Sequence, residues 1–186
     1  MNKIVPTLLL KAFLVTSSLA YYGTPPTTDS TCPVFFTGFG DSCYRFFGDA
    51  LPWREAEARC QRYFSPVGTQ GHLASIHSYA ENAFVYELWR SSKIVPSDMI
   101  SNYNRFDSVW IGMNDLEVEG NYRWSDGSAV KYRKWADAEP NDTIAKDDCV
   151  HMMDILGRGV PGEWNDIDCN HDNGLPFICK LKLTKY

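Results

Sequence analysis

Glu139-Pro140-Asn141, followed further on by Trp164-Asn165-Asp166, decides how this chain is read. Each stretch offers side-chain oxygens from nearly adjacent positions. Between them Asp147-Asp148 abuts Cys149. Carboxylate and amide oxygens at this density suit a hard cation such as calcium, which takes about 6–8 oxygen ligands. If the donors converge, positions on the metal stay open to a ligand from outside. The expectation is a calcium-dependent binding protein.

The charge pattern agrees. Residues 110–172 hold 14 Asp or Glu and 6 Lys or Arg, net −8, whereas the whole chain of 186 residues carries 23 acids and 18 bases, net −5. Acid confined to one Asn- and Gly-rich segment points to cation ligation; without the ligand spacing, a solvated acidic loop would be the default reading. There is no basic patch interleaved with aromatics, so nucleic acid is not an expected partner. A composition of 44% hydrophobic and 14% aromatic residues supports one domain with a real core.

Residues 1–20 read as a secretory signal. Lys3 gives a basic start, Val5 to Val15 is largely apolar apart from Lys11, and Ser18-Leu19-Ala20 supplies a small-residue cleavage site. The run is too short to span a bilayer, which needs about 20 apolar residues. The expected mature protein is secreted and extracellular, starting near Tyr21. Secretion gives meaning to the six cysteines, since an even number in an oxidising compartment implies disulfides. Spacing alone leaves their connectivity open. No CxxC pair suggests zinc, and the four His are scattered.

Residues 21–31 read as a flexible arm, Cys32 to Cys43 as a small hairpin, and Ser42 to Phe47 as a strand. A helix is expected over 52–63, with Pro52 in its first turn and Ala56, Cys60 and Tyr63 on one face. His72 to Ile76 reads as a short strand. Ser78 and Glu81 have capping-box spacing for a second helix ending near Arg90, with Ala83, Val85 or Tyr86, and Leu88 or Trp89 turned inward. Residues 91–108 read as an extended loop. Further strands are expected at 109–113, 122–124, 149–153, from Glu163, and at 176–179. Residues 131–148 form a long loop, and Gly157, Gly159 and Gly162 a turn. Trp53, Trp89, Trp110, Trp124 and Trp164 are core candidates, and Trp135 lies in the loop. His77, His151 and His171 read as ordinary surface or strand residues rather than ligands. Ser75 and His77 are neighbours in sequence without a nucleophile motif around them.

Taken together, Trp110-Ile111-Gly112, Glu139-Pro140-Asn141, Trp164-Asn165-Asp166, Phe177-Ile178-Cys179 and six cysteines in order resemble the C-type lectin-like domain, specifically the calcium-dependent mannose-type C-type lectins. The resemblance covers about residues 32–181, and with a short polar tail the domain is placed at 32–183. It implies an α+β fold of two helices, small antiparallel sheets and long calcium-binding loops. It also implies the long-form disulfide pattern Cys32–Cys43, Cys60–Cys179 and Cys149–Cys169. The principal calcium site of such lectins falls on Glu139, Asn141, Asp147, Asn165 and Asp166, which would also be the carbohydrate ligands. An auxiliary calcium site falls on Asp115, Glu119, Asp142 and Asp148. Asp147 departs from the family's frequent Glu and is one methylene shorter. A cis bond before Pro140 is implied, turning Glu139 and Asn141 the same way.

The resemblance further implies sugars with equatorial vicinal hydroxyls: mannose, glucose, N-acetylglucosamine or fucose. The expected partners are glycans or glycoproteins, by analogy with recognition in innate defence, and no catalytic activity is expected. One sugar site binds weakly, and avidity needs several displayed together. A homo-oligomer would form through surfaces the sequence does not reveal, or through residues 21–31. The competing expectation is the same fold binding a protein, ice or a mineral surface without sugar recognition. Asn141-Asp142-Thr143 is the chain's single N-glycosylation sequon. A glycan there would occupy the amide nitrogen that must face the sugar, so Asn141 is expected to be unmodified.

Overall fold

Alternating apolar residues in the N-terminal third make a long strand whose partner comes from the far end of the chain. The computed structural model describes residues 32–92, 107–141, 146–154, 161–171 and 174–184. The expected signal and arm, most of the loop 91–108, and Gly157 and Gly159 lie outside them. Strand β1 (Thr37–Phe39) folds back on β2 (Ser42–Leu51), and β2 pairs antiparallel with β8 (Leu175–Lys182). Phe47 faces Phe177 in that register, with the rings stacked 5.0 Å apart. The Leu183 N–H donates to the Asp41 carbonyl at 2.8 Å, so the start and end of the domain lie side by side. Both strands run longer than the expected 42–47 and 176–179, because each completes the other's ladder.

Helix α1 (Trp53–Cys60) buries Trp53, Ala56, Glu57 and Cys60, an i, i+3, i+4, i+7 stripe. It begins one residue later than expected, with Pro52 as N-cap, and ends earlier. Its exit is set by tertiary bonds: the Gly71 N–H donates to the Tyr63 carbonyl, and Phe64 bridges Gln70. The next strand, β3 (His72–Leu73), is shorter than expected, because the Ala74 N–H still reaches the Ile178 carbonyl but the ladder stops.

Helix α2 (Tyr79–Ser92) starts as the capping spacing requires. The Glu81 N–H donates to Ser78 Oγ at 3.1 Å, and Glu81 Oε2 accepts from the His77 N–H at 2.8 Å. Val85, Tyr86 and Trp89 are buried, but Ala83 is exposed. Asn82 takes the inward position, donating to the Gly162 carbonyl at 3.0 Å and accepting from Trp164 Nε1 at 2.8 Å.

Strands β4 (Asp107–Asn114), β5 (Arg123–Trp124), β6 (Cys149–Asp154) and β7 (Trp164–Ile167) complete the sheet. The resemblance implied small antiparallel sheets. Instead a parallel contact, Trp110 with Phe177, joins them in the order β1-β2-β8-β4-β6-β7, with β3 on β8 and β5 on β4. In register, Phe177, Trp110, His151 and Asn165 form one transverse row across four strands. Gly112 is required in β4, since a Cβ there would lie 2.6 Å from the Leu73 carbonyl oxygen.

Two apolar clusters fill the domain. One joins α2 to Ile111, Met113, Trp124, Val150, Met152 and Trp164; the other gathers Trp53, Leu73, Trp110 and Phe177 around two disulfides. All six cysteines are paired as the resemblance implied: Cys32–Cys43, Cys60–Cys179 and Cys149–Cys169.

A buried ion pair, unanticipated from sequence, ties α2 to β8. Lys180 Nζ donates to Glu81 Oε1 at 2.6 Å and to the Ser75 carbonyl at 2.8 Å, and both side chains are almost wholly buried. Tyr44 also donates to Glu81. Burial works against the Glu81 charge, but Lys180 and these donors together hold its carboxyl below the ordinary value. Its stabilising contribution is therefore present above the unfolded value near 4.5 and lost as pH falls below it. Glu81→Leu strands an ammonium without its counter-charge and should cost about 3–5 kcal/mol in denaturant unfolding, whereas Glu81→Leu with Lys180→Met should recover most of the loss. Equal losses in the single and double variants would show that the pair is not coupled.

Candidate functional site

The described residues between β5 and β6 have almost no regular structure, so their position depends on bonds to β7. The Trp164 N–H donates to the Lys134 carbonyl at 2.8 Å, and the Ala136 N–H donates to the Trp164 carbonyl at 2.9 Å. Trp135, half-buried, packs edge-on against Trp164 and Tyr122. From this anchor the chain turns: the Glu139 N–H donates to the Ala136 carbonyl, Ala138 adopts φ 64°, and the Glu139-Pro140 peptide is cis, as the resemblance implied. Asn141 follows, and its N–H reaches Asp166 Oδ1 at 3.3 Å.

Glu139, Asn141, Asp147 and Asp166 are thereby brought together. Asp166 is almost wholly buried, with Tyr122 Oη donating to its Oδ2 at 2.9 Å. Glu139 is raised to about 7, first by burial, then by the hydrogen bond and charge of neighbouring Asp166, with Asp147 adding repulsion. Burial, then the Asp166 carboxylate, likewise pushes the Tyr122 hydroxyl well above its ordinary value. Asn165 stands beside Asp166 on β7. Its Nδ2 lies 3.1 Å from Nε2 of His151, while its Oδ1 is buried without a partner. His151 is wholly enclosed, burial and then His171 pushing it down to about 3.

The auxiliary set is partly assembled. Asp115 is buried, its Oδ2 accepting from the Gly120 N–H at 2.8 Å and its Oδ1 without a partner. Burial raises its pKa, the Gly120 and Glu119 contacts oppose that, and Asp148 adds repulsion. The Asp115 N–H also donates to the Asp148 carbonyl at 3.2 Å. Asp142 lies outside the described residues.

These residues fit a hard cation by a physical test. Glu139 Oε2, Asn165 Oδ1 and Asp115 Oδ1 are buried acceptors without a hydrogen-bond partner. Buried acceptors are seldom left so, and a positive ion satisfies them as a donor would. Among the described residues no three His, Cys, Asp or Glu side chains form a metal cluster by themselves. Carboxylates without a cation between them repel, and two of the five expected donors are amides.

Sequence reasoning missed the part played by Tyr122 and His151 behind the site, because nothing in their spacing marks either. It also treated Ser75 and His77 as neighbours in sequence only. His77 Nε2 in fact lies 3.2 Å from Ser75 Oγ, but Ser75 is fully buried and donates to Asp126 Oδ2 at 2.6 Å.

Two helices and a mixed sheet among the described residues, in this strand order, match the class of C-type lectin folds. The Lectin C-type domain family matches residues 49–181, and the chain belongs to that family. It is 36% identical to Echinoidin of Heliocidaris crassispina over 156 residues, 82% of this chain and 97% of that protein. It is 38% identical over 149 residues to the alpha-N-acetylgalactosamine-specific lectin of Patiria pectinifera, 80% of this chain and 79% of that one. Among solved structures, the C-type lectin CEL-I from Cucumaria echinata superposes with a TM-score of 0.68 at 31% identity, covering 80% of this chain and 96% of that one. A calcium-independent type II antifreeze protein superposes with a TM-score of 0.60 at 32% identity, covering 81% and 94%. No helix among the described residues is long and apolar enough to cross a membrane.

The Cys149–Cys169 disulfide closes a loop of 20 residues that contains β7 and its donors. Replacing both cysteines by serine should lower unfolding free energy by about 3 kcal/mol, read from denaturant titration. An unchanged midpoint would show that the bridge adds nothing to the bonds already holding β7.

Proposed function

We propose that this chain is a secreted, calcium-dependent lectin that binds mannose-type sugars through Glu139, Asn141, Asp147, Asn165 and Asp166, with Asp115, Glu119, Asp142 and Asp148 holding an auxiliary ion. The observation that carries the reading is the gathering of Glu139, Asn141 and Asp166 around a cis proline, with buried acceptor oxygens left over on Glu139 and Asn165. Calcium, when bound, supplies open coordination positions for vicinal hydroxyls. The side chains do the rest: Glu139 and Asp147 accept hydroxyl protons, while Asn141 and Asn165 donate amide hydrogens. Charge-assisted bonds of this kind are stronger than neutral ones.

The preference for mannose-type sugars rests on the Glu139 and Asn141 order alone, since one relative is named as specific for alpha-N-acetylgalactosamine. Secretion is supported by three disulfides, which persist in oxidising compartments. On this reading residues 1–20 are a signal and 32–183 the domain. The second reading, a surface-binding protein without sugar recognition, is favoured by the likeness to a calcium-independent antifreeze protein.

Retention on a mannose column in calcium and release by a chelator are the expected results. Failure to bind any sugar on an array, with calcium present, favours the second reading. Asp166→Ala should fold yet lose retention at least tenfold. Acid should abolish binding, because ligating carboxylates must be ionised. Full retention at pH 4 would contradict a metal-mediated contact. Intact mass of column-retained protein should show Asn141 without a glycan.

A further inference from the structure

Whether Asn165 presents an oxygen or an NH2 group to the loops depends on which way its amide is turned. The two ends of an amide have nearly the same shape, so shape alone does not choose. Here the choice is made from behind. His151 and Asn165 are directly opposed partners in the β6–β7 ladder, and Nε2 of His151 lies 3.1 Å from Nδ2 of Asn165. The imidazole cannot swing away. It is 3% exposed, stands edge-on to Trp110 at 6.2 Å, and belongs to the transverse row that runs back to Phe177. Trp110 is fixed in turn by its own Nε1, which donates to the Leu51 carbonyl at 2.9 Å.

We propose that His151 is a positioning residue: its Nε2 accepts one hydrogen from the Asn165 amide and so keeps the amide oxygen available to a cation in the loop site. This rests on the lectin reading above. The donor count supports it. An amide nitrogen has two hydrogens. One goes to His151, and the second is left for a sugar hydroxyl. Oδ1 is left buried with no partner in the protein, as a metal ligand requires. The opposite orientation would place Oδ1 on a protonated Nε2 and turn a donor toward the cation. Groups that orient metal ligands from behind commonly change metal affinity by about 10–100-fold when removed.

The arrangement leaves a signature. A neutral imidazole has one donor and one acceptor nitrogen. If Nε2 accepts, the proton is on Nδ1, which is buried without a partner. Nitrogen-15 NMR of the ring in chelator-treated protein should therefore show Nδ1 protonated and Nε2 bare, and calcium should leave that pattern unchanged. Finding the proton on Nε2 would overturn the proposal. Calorimetric titration with calcium alone gives the second arm. His151→Leu should weaken calcium at least tenfold, and His151→Gln, which restores an acceptor oxygen, should recover most of the affinity. The melting temperatures of the two variants in chelator should be similar. A leucine variant that binds calcium like the parent, or a glutamine variant no better than leucine, would sink the idea. If the parent takes up no calcium, the lectin reading fails, while the ring-nitrogen measurement still decides which way Asn165 is turned. Should the leucine variant fail to fold, the NMR result and the glutamine variant decide the matter.

Discussion

Like-charged carboxylates repel, and the loop end of this molecule holds several of them close. Burial first, then the hydrogen bond and charge of Asp166 with added repulsion from Asp147, raise Glu139 to about 7. What keeps them together is backbone. Two hydrogen bonds fasten residues 134–136 to Trp164, a third runs from Asn141 to Asp166, and the Cys149–Cys169 bridge closes around β7. A cation entering there would offset their mutual repulsion and meet acceptors with no competing partner.

The loops hold this geometry because the sheet beneath them is continuous. The parallel contact between Trp110 and Phe177 merges what would be two small sheets into one. Strand β6, which carries His151, lies between β4 and β7, and the merger sets β4 against β8 in turn. The buried Glu81–Lys180 pair fixes α2 against β8, and Asn82 of α2 accepts from Trp164, so the helix also steadies β7. Glu139 and Asn141 thus sit on irregular backbone, while Asn165 and Asp166 sit on β7, the loop being held by the rigid elements beneath it.

Much of this was legible in the sequence. Apolar alternation located the strands, Ser78 and Glu81 located α2, and the ordered cysteines with Trp110-Ile111-Gly112 carried the family. Boundaries were the weak point. Residue 63 was placed in α1, yet the chain leaves the helix at Cys60 because Gly71 bonds Tyr63, a contact no local propensity encodes. The single sheet was missed for the same reason: one cross-strand contact between distant residues decides it. Asn82 displaced Ala83 as the inward residue, since hydrophobicity cannot foresee that a buried amide will serve both Gly162 and Trp164. The expected donors were named from motifs, but Tyr122 and His151 carry no motif and emerge only when strands pair.

The bond from Leu183 to Asp41 has a consequence for evolution and engineering. A unit whose entrance and exit are neighbours can be spliced into a host polypeptide through two adjacent joints, with little demand on the host's own geometry. The acidic loops come from the middle of the sequence rather than from its ends. Copies strung along a stalk could thus keep their ends together without altering any of the oxygen donors.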